Sequence, residues 1–365
     1  MKVSAKCKVE SKLKVRAAEP RAIDDAIHAI PIEWFKPAPA VYWLDLFTSA
    51  AVGWATLVLA VLAHGWRRSA FLLVAIVALY RAVLFIHEIT HRAGRDVPAF
   101  TFVWNTLVGV PLLLPSFLYE GVHTDHHRPN CYGTEADPEY VPFGRRAPAL
   151  ILGSVVVSWL GPVALAFRFG ILAPLAWVIP ALRRPVFERC SALCINHRYV
   201  RRVPLTFAAH VQEAAACAVF WISVALWWTG WLPAGAFLCW LVASGAVSGI
   251  NAVRTLAAHR YDVDTGELSM TEQLLDSCTI APGDRLRARL TDVGRALVAP
   301  VGLRYHALHH WIPSLPYHNL GRVHRLLVST LRADSPYRAT IEPGFTPPLR
   351  DLVRRSRAAR PDDRR

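Results

Sequence analysis

The stretch YHALHHWIPSLPYHNL, residues 305–320, contains three histidines at positions i, i+3 and i+4, a spacing that places them on one face of a helix. The segment HTDHH at 123–127 repeats this spacing, and HEITH at 87–91 places two histidines one helical turn apart. With 15 histidines in 365 residues, chance would produce an HxxHH motif only about 0.03 times per chain. The three motifs therefore predict one shared site. Its eight histidines are His87, His91, His123, His126, His127, His306, His309 and His310.

The composition is that of a membrane protein. Hydrophobic residues make up 53% of the chain and charged residues 19%, and the mean hydropathy is +0.28. The net charge of +14 is concentrated at the N-terminus, in 183–202 and in the C-terminal tail, which should face the cytoplasm. Such a basic face suits anionic headgroups, an acidic electron donor or a phosphate-bearing substrate. Nucleic acid is not an expected partner, because no basic patch carries a groove-reading motif.

Long apolar runs predict transmembrane hairpins, because each run is close to the ~20 residues that span a bilayer. Trp227, Trp228 and Trp231 would occupy an interfacial aromatic belt at the turn of the second hairpin. The arms of the two hairpins are 46–64 with 70–86, and 205–229 with 231–253.

Two further apolar runs are interrupted by proline or glycine. Residues 101–118 lie between two histidine motifs that must meet, so we expect an interfacial or re-entrant helix there. By the same reasoning, 148–182 crosses the membrane twice or not at all. All three histidine motifs and both termini would then lie on the cytoplasmic side.

The sequence therefore predicts an all-α integral membrane protein. It has two transmembrane helical hairpins plus interfacial or re-entrant helices, capped by a cytoplasmic helical domain that holds the histidine motifs. A multi-pass protein of a bacterial inner membrane is favoured over one of the endoplasmic reticulum. The predicted parts are a basic flexible N-terminal arm (1–40), a membrane domain (41–330) and an Arg-rich C-terminal tail (331–365).

Neutral imidazole is a common ligand for zinc, copper, iron and nickel. Eight imidazoles exceed the three or four protein ligands that one zinc ion takes, so the number implies two metal ions with open positions. A nitrogen-rich redox site beside an apolar bundle suits oxygen activation on a substrate such as an acyl chain. Exposed or core histidines without a metal are the alternative, which explains a single histidine better than three motifs.

These motifs, with hydrophobic hairpins between them, resemble the membrane-bound fatty acid desaturase family, a di-iron superfamily with three histidine boxes. The segments YGTEADPEY after the second motif, EQLLDS at 272–277 and GLRYHALHHWIPSLPYHNLGR at 302–322 also look like that family. The resemblance covers about 70–324. It is less specific for the reaction, because related hydroxylases, ketolases and alkane oxygenases share the boxes.

The resemblance implies two non-haem iron ions and O2 as co-substrate, which would desaturate the acyl chain of a fatty acid or lipid. Hydroxylation and a carotenoid-type oxygenation are alternatives on the same site. The eight motif histidines would be the ligands, and His259 is the best ninth candidate. Some members have an Asn four residues before that ninth ligand, but here the position is Thr255, and Asn251 lies a turn further back.

Several other polar residues are candidates for an outer layer around the metal. Carboxylates that hydrogen-bond to ligand imidazoles fix their tautomers, although surface solvation explains the same residues equally well. The candidates, besides Asn251, are Asp125, Asp137, Glu139 and His318.

The resemblance also implies partners. The substrate would be an acyl-lipid, an acyl-CoA or an acyl carrier protein conjugate in contact with membrane lipids. No fused cytochrome b5 motif such as HPGG is present, so electrons would come from a separate ferredoxin or cytochrome b5 type donor with its reductase.

Two functions of other classes compete with this interpretation. HEITH also fits the HExxH zinc motif, with Glu88 as general base of an intramembrane protease, but this leaves both HxxHH motifs unexplained. A metal transporter would require polar groups in mid-membrane, and the predicted spans carry almost none.

Overall fold

The computed structural model describes residues 27–263, 268–281 and 288–359. The regular elements of this part of the chain are helices, apart from one pair of parallel two-residue strands, β1 (Thr279–Ile280) and β2 (Ile341–Glu342). Most of the predicted N-terminal arm lies outside the described residues. The prediction of an all-α membrane protein is confirmed.

Five helices among the described residues are long and apolar enough to cross a membrane. Four of them correspond to the arms of the two predicted hairpins, and the predicted interfacial stretch 101–118 is not among the five. The five candidate spans are Ile32–Leu62, Trp66–Asp96, Pro148–Val178, Phe207–Trp228 and Ala234–Ala258.

Short elements connect these spans and extend them. The α-helices are α1 (Pro39–Leu62), α2 (Trp66–Val83), α3 (Phe85–Glu88), α4 (Gly94–Asp96), α5 (Phe100–Trp104), α6 (Val122–His126), α7 (Pro148–Phe167), α8 (Ala173–Val178), α9 (Pro180–Cys190), α10 (Phe207–Trp228), α11 (Ala234–Ala258), α12 (Met270–Asp276), α13 (Ala288–Val298), α14 (His306–Trp311), α15 (Tyr317–Thr330) and α16 (Thr346–Ala358). Turns of π-helix occupy Ile89–Ala93, Asn105–Gly109 and Arg168–Leu172. Turns of 3-10 helix occupy Ile32–Phe35, Ser116–Leu118, Phe143–Arg145, Leu303–Tyr305 and Arg338–Thr340.

The first hairpin and α11 share one apolar core, to which α1 contributes Leu46 and Leu57, and α11 contributes Val247. Gly53 on α1 lies directly against Leu79 on α2, so the absence of a side chain allows these helices to approach closely. This core supports the short helix α3, which continues from α2 and carries the first histidine motif.

The stretch predicted to cross twice or not at all forms one continuous helix, from Pro148 to Val178, with a π-turn in its second half. A double crossing requires a reversal, so that option is wrong. Immediately before this helix, Gly144 donates a hydrogen bond to the carbonyl of Tyr261, next to the predicted ligand His259. Near its other end, Phe169 packs against Phe117, close to the second histidine motif. These contacts agree with the other option, that the stretch does not cross, which stays a prediction.

The segment predicted as a C-terminal tail packs onto the domain as far as residue 359. Tyr337 and Leu352 are fully buried, and β2 pairs with β1 immediately after α12. Leu352 belongs to a core cluster that also contains Tyr132 and Tyr261. Residues 331–359 therefore contribute to the layer that surrounds the histidines.

Close packing of α7 on α11 depends on glycine. A Cβ atom added at Gly249 would lie 2.1 Å from Nε1 of Trp159. We expect Gly249→Ala to destabilise the protein by about 1–3 kcal/mol through overpacking, measured as a lower thermal unfolding midpoint in detergent. Gly235→Ala is the control, because a Cβ there meets no described atom within 4 Å. Equal midpoints for both variants would contradict this packing.

Candidate metal centre

The structure brings together nine imidazoles from four separate segments of the chain. They form two groups, and within each group one nitrogen per residue lies within 4.8 Å of all the others. One group contains His87, His91, His123, His127 and His309, and the other contains His126, His259, His306 and His310. The stacked rings of His127 and His310, with centroids 4.4 Å apart, connect the two groups.

Short elements position the motif histidines. His306, His309 and His310 all lie on the six-residue helix α14, as their spacing predicted. His87 lies on the short helix α3, which ends at Glu88, and His91 lies in the π-turn Ile89–Ala93, which the sequence did not predict. Single π-turns inside helices are frequent at functional sites.

His259 reaches the second group because the chain changes conformation at this residue. α11 ends at Ala258, and His259 has an extended backbone that forms an antiparallel bridge with Ser277. The bridge also brings Asp276 next to His259. The end of the membrane-length helix α11 and the bridge with Ser277 thus act together to position the ninth imidazole.

The ring nitrogens are spaced as the ligands of a metal ion are. Nε2 of His306 lies 2.8 Å from Nε2 of His259 and 3.1 Å from Nε2 of His310. Two nitrogens bound about 2.1 Å from one ion at a right angle lie about 3.0 Å apart. In the other group, Nε2 of His127 lies 3.1 Å from Nε2 of both His123 and His309.

Hydrogen bonding between the imidazoles does not account for this arrangement. A neutral ring nitrogen either donates one proton or accepts with one lone pair, yet His127 and His306 each present one nitrogen to two others. Both ring nitrogens of His87 and Nε2 of His91 and His126 are buried without a described hydrogen-bond partner. A cation between the nitrogens would satisfy them, so the residues fit a metal in each group.

Burial keeps most of these imidazoles uncharged. Desolvation, followed by the neighbouring imidazoles, lowers the pKa of His127, His309 and His310 well below the usual value. Desolvation also acts on His126, but the Asp137 carboxylate outweighs it and raises the pKa of that imidazole. Neutral rings have a free lone pair, which metal coordination requires.

Two of the predicted outer carboxylates contact imidazoles. Nδ1 of His126 lies 2.9 Å and 3.0 Å from the carboxylate oxygens of Asp137, and Nδ1 of His123 lies 2.5 Å from Oε1 of Glu139. A proton on Nδ1 that is donated to the carboxylate leaves the lone pair on Nε2. Nε2 is the atom that faces the other imidazoles.

A third carboxylate was missed from the sequence. Nδ1 of His259 lies 2.9 Å from the hydroxyl of Tyr132, which donates to Asp276 at 2.8 Å. Burial alone would raise the pKa of Asp276, but the nearby His259 imidazole and hydrogen bonds from Tyr132 and Tyr140 lower it, which favours the charged carboxylate. Asp276 lies in EQLLDS and Tyr132 in YGTEADPEY, so both residues stood in segments that were quoted, although neither residue was given a role.

The remaining outer-layer candidates contact other groups. Asp125 accepts from the Tyr199 hydroxyl and pairs with Arg128, and Asn251 accepts from Arg254. Nε2 of His318 accepts the backbone N–H of Ala38.

Glu88, the general base of the protease alternative, accepts hydrogen bonds from the hydroxyl of Tyr42 and the backbone N–H of Tyr317. Its neighbour His87 lies among four further imidazoles, and the site has nine in all. A single zinc ion held by the HEITH motif leaves most of these imidazoles without a role.

Comparisons with known proteins agree with this site. The family model described as fatty acid desaturase matches residues 64–341, which include all nine imidazoles. The chain is 41% identical over 327 residues to a protein named ceramide hydroxylase from Caulobacter vibrioides (strain NA1000 / CB15N), an alignment that covers 88% of this chain and 90% of that relative. The chain belongs to the fatty acid desaturase family, whose members are membrane-bound oxidoreductases of the non-haem di-iron type.

Proposed function

We propose that the protein is an O2-dependent hydroxylase of a ceramide-type lipid in a bacterial membrane. The observation that carries this proposal is the 41% identity to the ceramide hydroxylase over 88% of the chain. A ceramide is a long-chain N-acyl amide with hydroxyl groups, so the substrate would be a membrane lipid. The sequence alone favoured desaturation and treated hydroxylation as the alternative. Because the relative is named a hydroxylase, we place hydroxylation first and desaturation second.

The two groups of imidazoles would each hold one iron. We assign His87, His91, His123, His127 and His309 to one ion, and His126, His259, His306 and His310 to the other. When bound, the two irons supply the activation of O2 and the attack on an unactivated C–H bond. Hydroxylation turns one C–H bond into C–OH, consumes one O2, two electrons and two protons, and releases one water.

The protein's own groups would prepare this centre. Asp137, Glu139 and the Tyr132–Asp276 pair hold protons on the outer nitrogens of His126, His123 and His259, which directs each Nε2 lone pair inward. Seven of the nine imidazoles are buried and His91 and His127 are half-buried, so most of the centre is shielded from bulk water. Exclusion of water protects reactive intermediates from side reactions.

Electrons would come from a separate ferredoxin or cytochrome b5 type donor with its reductase. The histidines and both termini would face the cytoplasm, where such donors are found. Desaturation remains the second candidate, because the matching family model is described as fatty acid desaturase. Both reactions begin by breaking one C–H bond at the same centre.

Lipid profiling tests the reaction. A bacterial host that supplies ceramide and expresses the wild-type protein should accumulate lipid heavier by one oxygen atom, detected by mass spectrometry. We expect His309→Ala to abolish this product, whereas His197→Ala, which changes an exposed histidine outside both groups, should retain it. Product lighter by two hydrogen atoms would instead establish desaturation.

Iron affinity tests the role of the outer carboxylates. Asp137→Asn should weaken iron binding about 10–100-fold, because Asp137 holds the Nδ1 proton of His126. Asp125→Asn is the matched control, since Asp125 contacts Tyr199 and Arg128 instead. Iron per chain is measured by elemental analysis after dialysis against graded chelator, starting from two per chain in the wild type. Equal retention by both variants would argue against this role.

A further inference from the structure

A cavity of about 520 Å³ lies outside the histidine centre, between the end of the Pro148–Val178 helix, α9 and the first turns of α10. Its floor contains an ion pair between Arg168 and Glu213, which are 3% and 7% exposed. Both residues belong to candidate membrane spans. Burying ionisable side chains is costly, so a buried pair that lines a cavity is a candidate for a functional site.

The hydrogen bonds of this pair leave bonding capacity unused. Arg168 donates to the carbonyl of Cys190 and to Oγ of Ser191, and Glu213 also accepts from Nε1 of Trp177. Nη1 of Arg168 is buried and has no hydrogen-bond partner among the described residues. A carboxylate offers about four acceptor positions, so Glu213 can accept further hydrogen bonds. One cavity is therefore lined by a residue with an unpartnered buried donor, Arg168, and by a residue with spare acceptor capacity, Glu213.

This combination selects for a certain ligand chemistry. The charges of Arg168 and Glu213 compensate each other, so a phosphate would meet a carboxylate as well as a guanidinium. A plain hydrocarbon would leave the polar floor unsatisfied. An amide carbonyl can accept from Arg168 while a hydroxyl donates to Glu213. His210, which also lines the cavity, can serve either role.

The surroundings place the cavity at the level of lipid headgroups. Trp177 at its edge is 48% exposed, and the neighbouring Val178 and Phe207 are 80% and 84% exposed. Tryptophan beside exposed apolar side chains is typical of the membrane interface. A lipid could thus bring its headgroup into the cavity while its chains stay in the apolar region.

The wall of the cavity is connected to the second histidine motif. Ser191 lines the cavity, and its backbone carbonyl accepts from Arg201, which also donates to the carbonyls of Phe117 and Glu120. Glu120 lies three residues before His123. A headgroup held in the cavity is therefore positioned relative to the metal centre.

We propose that this cavity binds the amide and hydroxyl headgroup of the lipid substrate, with Glu213 accepting from a hydroxyl and Arg168 donating to the amide carbonyl. This inference rests on the proposed function, because it takes a ceramide as the substrate. Arg168 and Glu213 are binding residues that fix which part of the acyl chain reaches the centre.

Ceramide binding to the iron-loaded, full-length protein in phosphatidylcholine nanodiscs tests this proposal. Glu213→Gln should raise the Kd for a fluorescent ceramide about tenfold, through loss of a charge-assisted hydrogen bond. The double variant Arg168→Met/Glu213→Leu should lose ceramide binding to a similar or greater extent. It should keep its thermal unfolding midpoint, because apolar replacement of a whole buried ion pair is often neutral. Arg184→Gln is the control, since Arg184 pairs with Glu188 on an exposed surface.

Other outcomes overturn the proposal. If the double variant binds ceramide like the wild type, the ion pair has a purely structural role. If vesicles of phosphatidylglycerol displace the ceramide and bind through Arg183 instead, the cavity is a site for an anionic lipid. The proposed function is tested separately: wild type that binds ceramide through Glu213 but forms no hydroxylated product refutes the reaction and leaves the binding site standing.

Discussion

The structure depends on nine imidazoles that lie together, seven of them buried and most of them without charge. Desolvation lowers the pKa of His127, His309 and His310 far enough that their rings are neutral at physiological pH. The Nε2 atoms then lie 2.8–3.1 Å from one another, and one nitrogen can face two others. A neutral ring nitrogen forms one hydrogen bond, so hydrogen bonding alone cannot satisfy all of these contacts. Two cations, as proposed for this centre, would resolve this conflict, and binding them would then add to the stability of the fold.

An outer layer determines the direction of these lone pairs. Each proton held on an Nδ1 by Asp137, Glu139 or the Tyr132 hydroxyl removes one of two tautomers and leaves Nε2 free. The layer comes from segments distant in sequence, because Asp276 reaches His259 through the bridge with Ser277. The C-terminal segment supports the same layer, where β2 pairs with β1. Preorganisation of the centre is thus a property of tertiary contacts outside the histidine motifs.

The sequence predicted what periodicity and spacing encode. The four hairpin arms and the helix face of His306, His309 and His310 follow from apolar runs and from i, i+3, i+4 spacing, and the structure has them. Asp276 escaped prediction because its contact with His259 depends on an extended residue and a bridge, which leave no periodic signal. The π-turn at His91 changes the local helical register, but its sequence contains no proline or glycine that would have indicated a change. Residues 331–359 were predicted as a tail because the segment is rich in arginine, and only a few of its positions, such as Leu352, are apolar and buried.

On the proposed function, hydroxylation and desaturation would begin by breaking the same kind of C–H bond at the same centre, so the imidazoles alone would not set the choice between them. They differ in whether a second hydrogen or an oxygen atom is transferred next, which depends on the position of the carbon chain to within about an ångström. Position is set where the substrate is held by directional bonds, since an alkyl chain in an apolar channel slides without a large change in contact energy. The amide and hydroxyls of a ceramide provide such bonds, and the cavity at Arg168 and Glu213 offers a buried guanidinium and a buried carboxylate to receive them. On this proposal, the outcome of the reaction would depend on recognition at a distance from the metal centre.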